Sequence, residues 1–279
     1  MTELLPPVLL PPGLLPPVLL LGAGKMCGAM LAGWREQGLQ PSVVIDPAPG
    51  AAALACDGVI VVASVEAVPA GFAPAAVVLA VKPQQATAAL PALARFGGGA
   101  VMLSIMAGRT VTGLRGLLGL ETAVVRAMPN TPAAIRRGIT VACAGPGVSA
   151  AQRMLCDRLL ASVGEVAWVE DEGLIDAVTA VSGGGPAYVF LLAEVMEQAA
   201  LAQGIPPALA RQMARVTVAG SGALLAASTE DAATLRINVT SPAGTTERAL
   251  AVLMASDAWP ALMSRAIEAA TQRSRELAG

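Results

Sequence analysis

Residues 18–30 read VLLLGAGKMCGAM and decide the fold of the first half of the chain. The run of four apolar residues is typical of a strand buried on both faces, and the glycines after it open a predicted helix. The spacing G-x-G-x-x-x-G departs by one residue from the dinucleotide fingerprint, yet its place between strand and helix favours that function. Gly22 would allow the tight turn, Gly24 the approach of a pyrophosphate, and Gly28 the packing of the helix on the sheet. Lys25 has two open roles, contact with phosphate or exposure to solvent.

Strand patterns continue to about residue 170 and then stop. Short apolar runs alternate with helical segments, which is typical of a doubly wound sheet. We therefore predict a Rossmann-like NAD(P)-binding domain over residues 17–170. Its further strands are predicted at residues 43–45, 59–63, 77–81, 100–104, 122–128, 139–143 and 165–169, the last two flanking a helix at 149–162.

Two of these strands end in residues suited to a cofactor site. Asp46 follows the second strand at the distance where an acidic residue bonds the adenosine ribose hydroxyls. An aspartate that merely starts the turn before Pro47 is the alternative, and the sequence leaves both open. Lys82-Pro83-Gln84 follows the fourth strand, at the edge where open α/β sheets bind ligands.

Helix-like spacing replaces the strand pattern in the second half, so residues 171–279 are predicted to form an all-α domain. The stretch Ser182-Gly-Gly-Gly-Pro186 is predicted to separate two of its helices. Those glycines suit either tight helix packing at a subunit interface or close approach of a ligand. The helices are predicted at residues 174–181, 186–203, 207–227, 232–238, 245–255 and 258–277.

Residues 238–247, NVTSPAGTTE, are predicted to form a corner between two of these helices. The backbone N–H groups of Gly244, Thr245 and Thr246 would then be free at the positive end of a helix dipole, where a small carboxylate can bind. The hydroxyls of Ser241, Thr245 and Thr246 add donors and acceptors without charge. An ordinary helix cap is the alternative for this stretch taken alone.

The N-terminus repeats LLPPVLL within residues 4–20. Its prolines argue against a membrane-spanning helix, and it lacks the basic segment of a signal peptide. We predict that residues 1–16 form a Pro-rich extension, disordered or polyproline-II-like, outside the two domains. Binding of this extension to a partner is the alternative.

Composition narrows the function further. The net charge is −2, which argues against nucleic acid as a partner. Histidine is absent, which excludes Ser-His-Asp and Cys-His catalysis and the usual zinc ligands, so no metal site is expected. The four cysteines form no C-x-x-C pair and are expected to be reduced and buried in a cytoplasmic protein.

Five blocks stand in order along the chain and together resemble pyrroline-5-carboxylate reductase. They are AVKPQ at 80–84, SIMAG at 104–108, VRAMPNTP at 125–132, DAVTAVSGGGPAYVF at 176–190 and VTSPAGTT at 239–246. The resemblance implies reduction of 1-pyrroline-5-carboxylate to L-proline by hydride transfer from NADPH or NADH. It also implies an α-helical dimerisation domain and a homodimer that can assemble into a ring. The prolines of the N-terminus lead us to expect no membrane partner.

The resemblance also implies site residues. Thr246 would be the catalytic residue, with its hydroxyl on the ring nitrogen of the substrate. The substrate would be bound by Ser241, Ala243, Gly244, Thr245 and Thr246. The cofactor would be bound by Gly22, Ala23, Gly24, Lys25, Met26, Asp46, Ala80, Val81, Lys82, Pro83, Ser104, Ala107, Gly108, Met128 and Asn130.

The chain departs from the family pattern at three positions. Lys25 stands where asparagine is frequent, Gly184 where serine is frequent, and Ala243 where glycine is common. The methyl group of Ala243 is expected to be tolerated only with a negative φ. A related imine reductase, a β-hydroxyacid-dehydrogenase-like enzyme and a non-catalytic NADP sensor remain as alternatives, and the sequence leaves the preference between NADH and NADPH open.

Overall fold

The computed structural model describes residues 14–278, and this part of the chain divides into two compact units. The Rossmann unit contains residues 14–183 together with 271–278, and the helical unit contains residues 184–270.

The Rossmann unit is built on an eight-stranded sheet of order β3-β2-β1-β4-β5-β6-β7-β8. The first six strands in chain order run parallel, β7 is antiparallel to β6, and β8 is parallel to β7. This order confirms the predicted doubly wound dinucleotide-binding architecture. The strands are β1 Val18–Leu21, β2 Ser42–Ile45, β3 Val59–Val62, β4 Ala76–Leu79, β5 Val101–Ser104, β6 Val124–Met128, β7 Gly138–Ala144 and β8 Gly164–Val169.

The predicted helices lie within a few residues of their expected bounds. The helices are α1 Lys25–Glu36, α2 Ala86–Ala89, α3 Val111–Leu118, α4 Ala150–Ala161, α5 Leu174–Val178, α6 Gly185–Ala202, α7 Pro207–Ala227, α8 Ala232–Asn238, α9 Thr245–Leu253 and α10 Trp259–Ala278. Of these, α2 and α3 are additional to the predicted helices. Short 3₁₀ turns occupy Pro49–Leu54, Val65–Ala67, Pro83–Gln85, Pro91–Phe96 and Thr131–Ile135.

Both faces of the sheet are buried. Along β1, Leu20 points into one apolar cluster with Met30 and Trp34, and Leu19 points into a second cluster with Leu114. Successive side chains of a strand face opposite sides, so a strand covered on both sides must be apolar throughout. This explains why the central strands read as unbroken apolar runs.

Gly33 is the glycine of α1 that allows close packing of the helix. The prediction that Gly28 allows this packing is wrong. A Cβ atom added at Gly33 would stand 2.7 Å from the backbone oxygen of Ser162, the residue that ends α4. A Cβ atom at Gly28 would meet only a Leu54 methyl carbon, at 3.9 Å. The approach of α1 to its neighbour therefore depends on the missing side chain of Gly33.

We expect the two glycines to respond oppositely to alanine. Gly33→Ala should lower the free energy of unfolding by about 1–3 kcal/mol, because backbone atoms must move to admit the methyl group. Gly28→Ala should raise it by up to about 1 kcal/mol, because alanine favours the helix and has room. Urea unfolding followed by circular dichroism measures both. Equal effects of the two substitutions would contradict this account of the helix packing.

Leu15 corrects the predicted extent of the N-terminal extension. Its side chain is fully buried in the core cluster that contains Trp34, and its backbone pairs with Gly38 and Gln40. The prediction that residues up to 16 lie outside the domain is therefore wrong for Leu15, which has a bridge partner in Leu39. Residues 1–13 lie outside the described part of the chain.

The glycine stretch around Gly184 lies between α5 and α6, as predicted, and the two helices are joined by a π turn. The chain passes from α5 through a π turn, Thr179–Gly183, directly into α6. The hydroxyl of Thr179 donates to the Ile175 carbonyl at 2.7 Å, and that of Ser182 donates to the Val178 carbonyl at 3.0 Å. Pro186 falls in the first turn of α6, where its missing N–H breaks no helical hydrogen bond.

The helical unit leaves much apolar surface uncovered. On α6 and α7, Phe190 and Val216 are both about two-thirds exposed. Among the described residues, the run Leu174–Ala202 has the length and hydropathy of a membrane-spanning helix, with 17% of its most apolar window buried. Apolar surface of this extent is typical of a face that a partner covers.

Candidate active site

The predicted cofactor residues lie along one edge of the sheet. Strands β1, β2, β4, β5 and β6 are parallel neighbours, so the segments after them leave the sheet on the same side. All of the predicted cofactor residues end or follow these strands: Gly22, Ala23, Gly24, Lys25, Met26, Asp46, Ala80, Val81, Lys82, Pro83, Ser104, Ala107, Gly108, Met128 and Asn130. Their contacts with a cofactor stay a prediction.

The glycine-rich loop has the shape that a pyrophosphate needs. Gly22 has φ +104°, and a Cβ atom there would stand 2.8 Å from the carbonyl oxygen of Ala80, so only glycine fits beside β4. A Cβ atom at Gly24 would meet nothing within 4 Å, so this backbone is open to a ligand. Gly24 caps α1 without a side-chain hydrogen bond, and the first turn carries no acidic residue. The start of α1 therefore suits a dinucleotide phosphate.

Asp46 forms the turn that the sequence offers as one of its two roles, and its contact with a ribose stays a prediction. Its Oδ1 accepts from the N–H of Ala48 at 2.8 Å, which forms the predicted turn. Its Oδ2 accepts from the N–H of Ala23 in the glycine-rich loop at 2.7 Å. The carboxylate therefore holds the loop against the end of β2.

The segments after β4 and β5 are joined by Arg109. Its Nε and Nη2 atoms donate to the carbonyl oxygen of Pro83 at 3.1 and 2.5 Å. Sequence reasoning missed this contact, because a backbone carbonyl carries no residue-type signal. Arg109 fixes Lys82 and Pro83 relative to the loop after β5.

Several predicted cofactor residues are held by protein contacts. Ser104 is fully buried, and its hydroxyl accepts from the N–H of Met106 at 3.3 Å. Gly108 is buried next to Leu277 of α10, and its φ is +65°. The side-chain oxygen of Asn130 accepts from the N–H of Ile139 at 3.0 Å. These contacts fix the backbone at the carboxyl edge of the sheet, including positions such as Ser104 whose side chain is buried.

A buried ionic cluster underlies this edge, and the sequence did not reveal it. Arg126 of β6 is 2% exposed and contacts Glu172 at 2.9 Å and Asp176 at 3.5 Å. The hydroxyl of Ser274, on α10, donates to Asp176 at 2.7 Å, and the N–H of Val111 donates to Glu172 at 2.8 Å. The cluster therefore joins β6, α5, the start of α3 and the last turns of α10 within the Rossmann unit.

The predicted corner is present in the helical unit between α8 and α9, with Gly244 as the N-cap of α9. The N–H of Gly244 donates to the carbonyl oxygen of Ser241 at 3.0 Å, so the prediction that this N–H is free is wrong. The N–H groups of Thr245 and Thr246 have no acceptor among the described residues, as expected for the first turn of a helix. The corner therefore offers two backbone donors for an anion.

Ala243 has φ +57°, which contradicts the expected negative value. This left-handed conformation is costly for a residue with a Cβ atom, and glycine adopts it without strain. The carboxylate of Glu247 accepts from the N–H of Ala243 at 2.9 Å and so helps to hold the turn. This chain therefore holds the left-handed turn with an alanine, at a position where the resemblance implies glycine.

The corner side chains are uncharged and accessible. Ser241, Thr245 and Thr246 are exposed, and their hydroxyls make no hydrogen bond to a described residue. The hydroxyl of Thr246 is therefore available to a bound ligand.

Two of the cysteines are poor nucleophiles because they are buried. Burial raises the pKa of the Cys27 thiol to about 11 and that of Cys156 to about 12. Since the thiolate is the reactive form, neither thiol is suited to catalysis at neutral pH. All four cysteines are free, and Cys56 is partly exposed.

An open glycine-rich cradle at the carboxyl edge of a doubly wound sheet, with an acidic residue after β2, defines a dinucleotide-dependent oxidoreductase. Residues 172–277 match the family model of pyrroline-5-carboxylate reductase dimerisation, and residues 17–108 match that of NADP oxidoreductase, coenzyme F420-dependent.

The pyrroline-5-carboxylate reductase of Pseudomonas aeruginosa is 41% identical over 92% of this chain and 95% of its own. That of Haemophilus influenzae is 34% identical over 92% of this chain and 96% of its own. The structure of a pyrroline-5-carboxylate reductase from Coxiella burnetii superposes with a TM-score of 0.86 at 30% identity, covering 94% of this chain and 98% of that one. The chain belongs to the pyrroline-5-carboxylate reductase family.

Proposed function

We propose that this protein reduces 1-pyrroline-5-carboxylate to L-proline with a hydride from NADPH or NADH. The observation that carries the proposal is the corner at Thr245 and Thr246, which offers two backbone N–H groups and uncharged hydroxyls. A corner of this kind suits a small ligand that bears both a carboxylate and a ring nitrogen.

The carboxyl edge of the Rossmann unit would hold the cofactor. The start of α1 would bind the pyrophosphate through backbone N–H groups, and Asp46 would bind the adenosine ribose. The segments around Lys82, Gly108 and Asn130 would line the rest of the edge. The bound cofactor supplies a hydride from its reduced nicotinamide.

The corner would position the substrate. The N–H groups of Thr245 and Thr246 would bind its carboxylate, with Ser241, Ala243 and Gly244 shaping the seat, and the hydroxyl of Thr246 would hydrogen-bond the ring nitrogen. As the hydride adds to the imine carbon, the electron pair of the C=N double bond moves to the protonated nitrogen and leaves an amine. Since that proton can arrive from solution with the substrate, the chemistry needs no histidine and no strong base.

The rate gain would come mainly from positioning the imine carbon against the nicotinamide. No titrating catalytic side chain is part of the proposal. The dependence of kcat/KM on pH should therefore follow the protonation of the free imine.

The exposed apolar surface of the helical unit supports a homodimer. Phe190 on α6 and Val216 on α7 would be covered by a second copy, since water-exposed apolar area of this extent favours association. We further propose that dimers assemble into rings, that the protein is cytoplasmic, and that no membrane is involved. The domains would be the N-terminal extension, the NAD(P)-binding domain at 17–170 and the substrate and dimerisation domain at 171–279. The extension is predicted at 1–16, but the buried Leu15 does not belong to it.

The test is the loss of reduced-nicotinamide absorbance when 1-pyrroline-5-carboxylate is added to the pure protein. We expect oxidation of at least one cofactor and formation of proline. Binding of cofactor without oxidation would support a non-catalytic sensor. Oxidation with other cyclic imines but not with this one would support a different imine reductase.

A further inference from the structure

The region around β2 and β3 carries a one-sided charge. Residues 37–81 contain no lysine or arginine, and their charged residues are Asp46, Asp57 and Glu66. In a sheet of this order, the adenosine ribose lies beside the end of β2, and a 2′-phosphate there is usually matched by an arginine. This segment offers no such cation.

Asp46 is fixed in place at that position. Its two oxygens accept from the N–H groups of Ala23 and Ala48, so the carboxylate cannot rotate away without losing both bonds. A carboxylate has about four acceptor sites, so about two remain for the two hydroxyls of a ribose. A 2′-phosphate at the same place would meet a fixed negative charge.

We propose that Asp46 makes this enzyme select NADH over NADPH. The inference rests on the proposed function only in requiring that the glycine-rich loop binds a dinucleotide. A preference for NADH differs from what the name of the NADP oxidoreductase family suggests. The reason is that residues 37–81 of this chain contain no cation to pair with a 2′-phosphate.

Lys25 is the cation at the start of α1 that could oppose Asp46. It is exposed as the first residue of α1, where the pyrophosphate is expected, and no described residue pairs with its ammonium group. If Lys25 contacts the pyrophosphate, it binds NADH and NADPH alike, because both carry that group. Removal of the lysine side chain should then weaken the binding of NADH and of NADPH by similar factors.

The test measures the Kd of NADH and of NADPH by fluorescence titration in the absence of any imine. We expect the wild-type protein to bind NADH at least about tenfold more tightly. Asp46→Asn keeps the shape and one backbone hydrogen bond but removes the charge, and it should shift the ratio of the two Kd values toward NADPH at least about tenfold. Lys25→Met should leave this ratio within about twofold.

Asp57→Asn is the matched control. It removes the same charge from the same segment, but Asp57 precedes β3 and so lies at the opposite, amino edge of the sheet. We expect it to leave both Kd values unchanged. The effect of Asp46→Asn would then belong to the position of the charge and not to the net charge.

Tighter binding of NADPH by the wild-type protein would overturn the inference, even if Asp46→Asn failed to fold. So would an unchanged ratio in a folded Asp46→Asn variant. Because the titrations need no turnover, they separate this inference from the proposed reaction. A protein that binds NADH selectively but reduces no imine would contradict only the proposed function.

Discussion

Arg126→Met is expected to lower the free energy of unfolding by about 3–5 kcal/mol, because it leaves the buried carboxylate of Asp176 and the partly buried carboxylate of Glu172 without their cation. Asp176 is 8% exposed and, among the described residues, would keep the Ser274 hydroxyl as its side-chain donor. The melting temperature should fall by about 10 °C for a chain of this size. Thermal unfolding monitored by circular dichroism measures it.

The matched control is Arg273→Met, which removes a cation from an exposed pair on α10. Arg273 lies 2.9 Å from Glu276, and their side chains are 66% and 49% exposed. Exposed pairs of this kind contribute less than about 1 kcal/mol. Equal losses in Arg126→Met and Arg273→Met would contradict the structural role of the buried cluster.

A second variant separates lost charge from lost packing. Arg126→Met combined with Asp176→Asn removes both charges, and the asparagine oxygen can still accept from Ser274. The double variant should recover part of the stability, since a buried neutral amide costs less than a buried unpaired carboxylate. No recovery would show that the packing of the arginine, not its charge, was lost.

Thr246→Val should lower kcat/KM for the imine about ten- to a hundredfold, equivalent to roughly 1–3 kcal/mol. Valine keeps the branched shape and removes only the hydroxyl. A hydrogen bond that strengthens as the nitrogen becomes an amine stabilises the transition state more than the ground state, so kcat should fall. Steady-state kinetics at saturating cofactor measure the effect.

The structure provides a control for this substitution. Thr246 is exposed, and its hydroxyl has no partner among the described residues, so Thr246→Val should leave the melting temperature unchanged. Thr245→Val keeps the backbone N–H group that would bind the carboxylate and removes a hydroxyl beside it, so it should raise KM for the imine modestly with little effect on kcat. Intact turnover with weakened cofactor binding in Thr246→Val would place the substrate corner elsewhere.

Local sequence patterns predicted most of the fold. A four-residue apolar run such as Val18–Leu21 is typical of a strand covered on both faces, and the glycine spacing after it predicted the edge of the sheet where the cofactor would bind. The helix boundaries followed from prolines and small polar caps, as at Ser149, whose side chain forms a capping box with Gln152.

The features that sequence reasoning missed depend on contacts distant in the chain. Arg126 and Ser274 meet Asp176 from separations of 50 and 98 residues, and no spacing rule reports such a contact. Gly33 and Gly28 lie on one helix, and only the position of Ser162 shows which of them must be glycine. The positive φ of Ala243 likewise depends on the turn that Glu247 and Ser241 close around it.

The central claim is that this chain transfers a hydride from a reduced nicotinamide to the imine carbon of 1-pyrroline-5-carboxylate. The most direct measurement supplies cofactor deuterated at the transferable position of the nicotinamide C4 and examines the product by mass spectrometry and NMR. The account predicts proline that carries a single deuterium, on the ring carbon bonded to nitrogen and remote from the carboxylate. Proline without deuterium, or no proline from a protein that binds the cofactor, would contradict it.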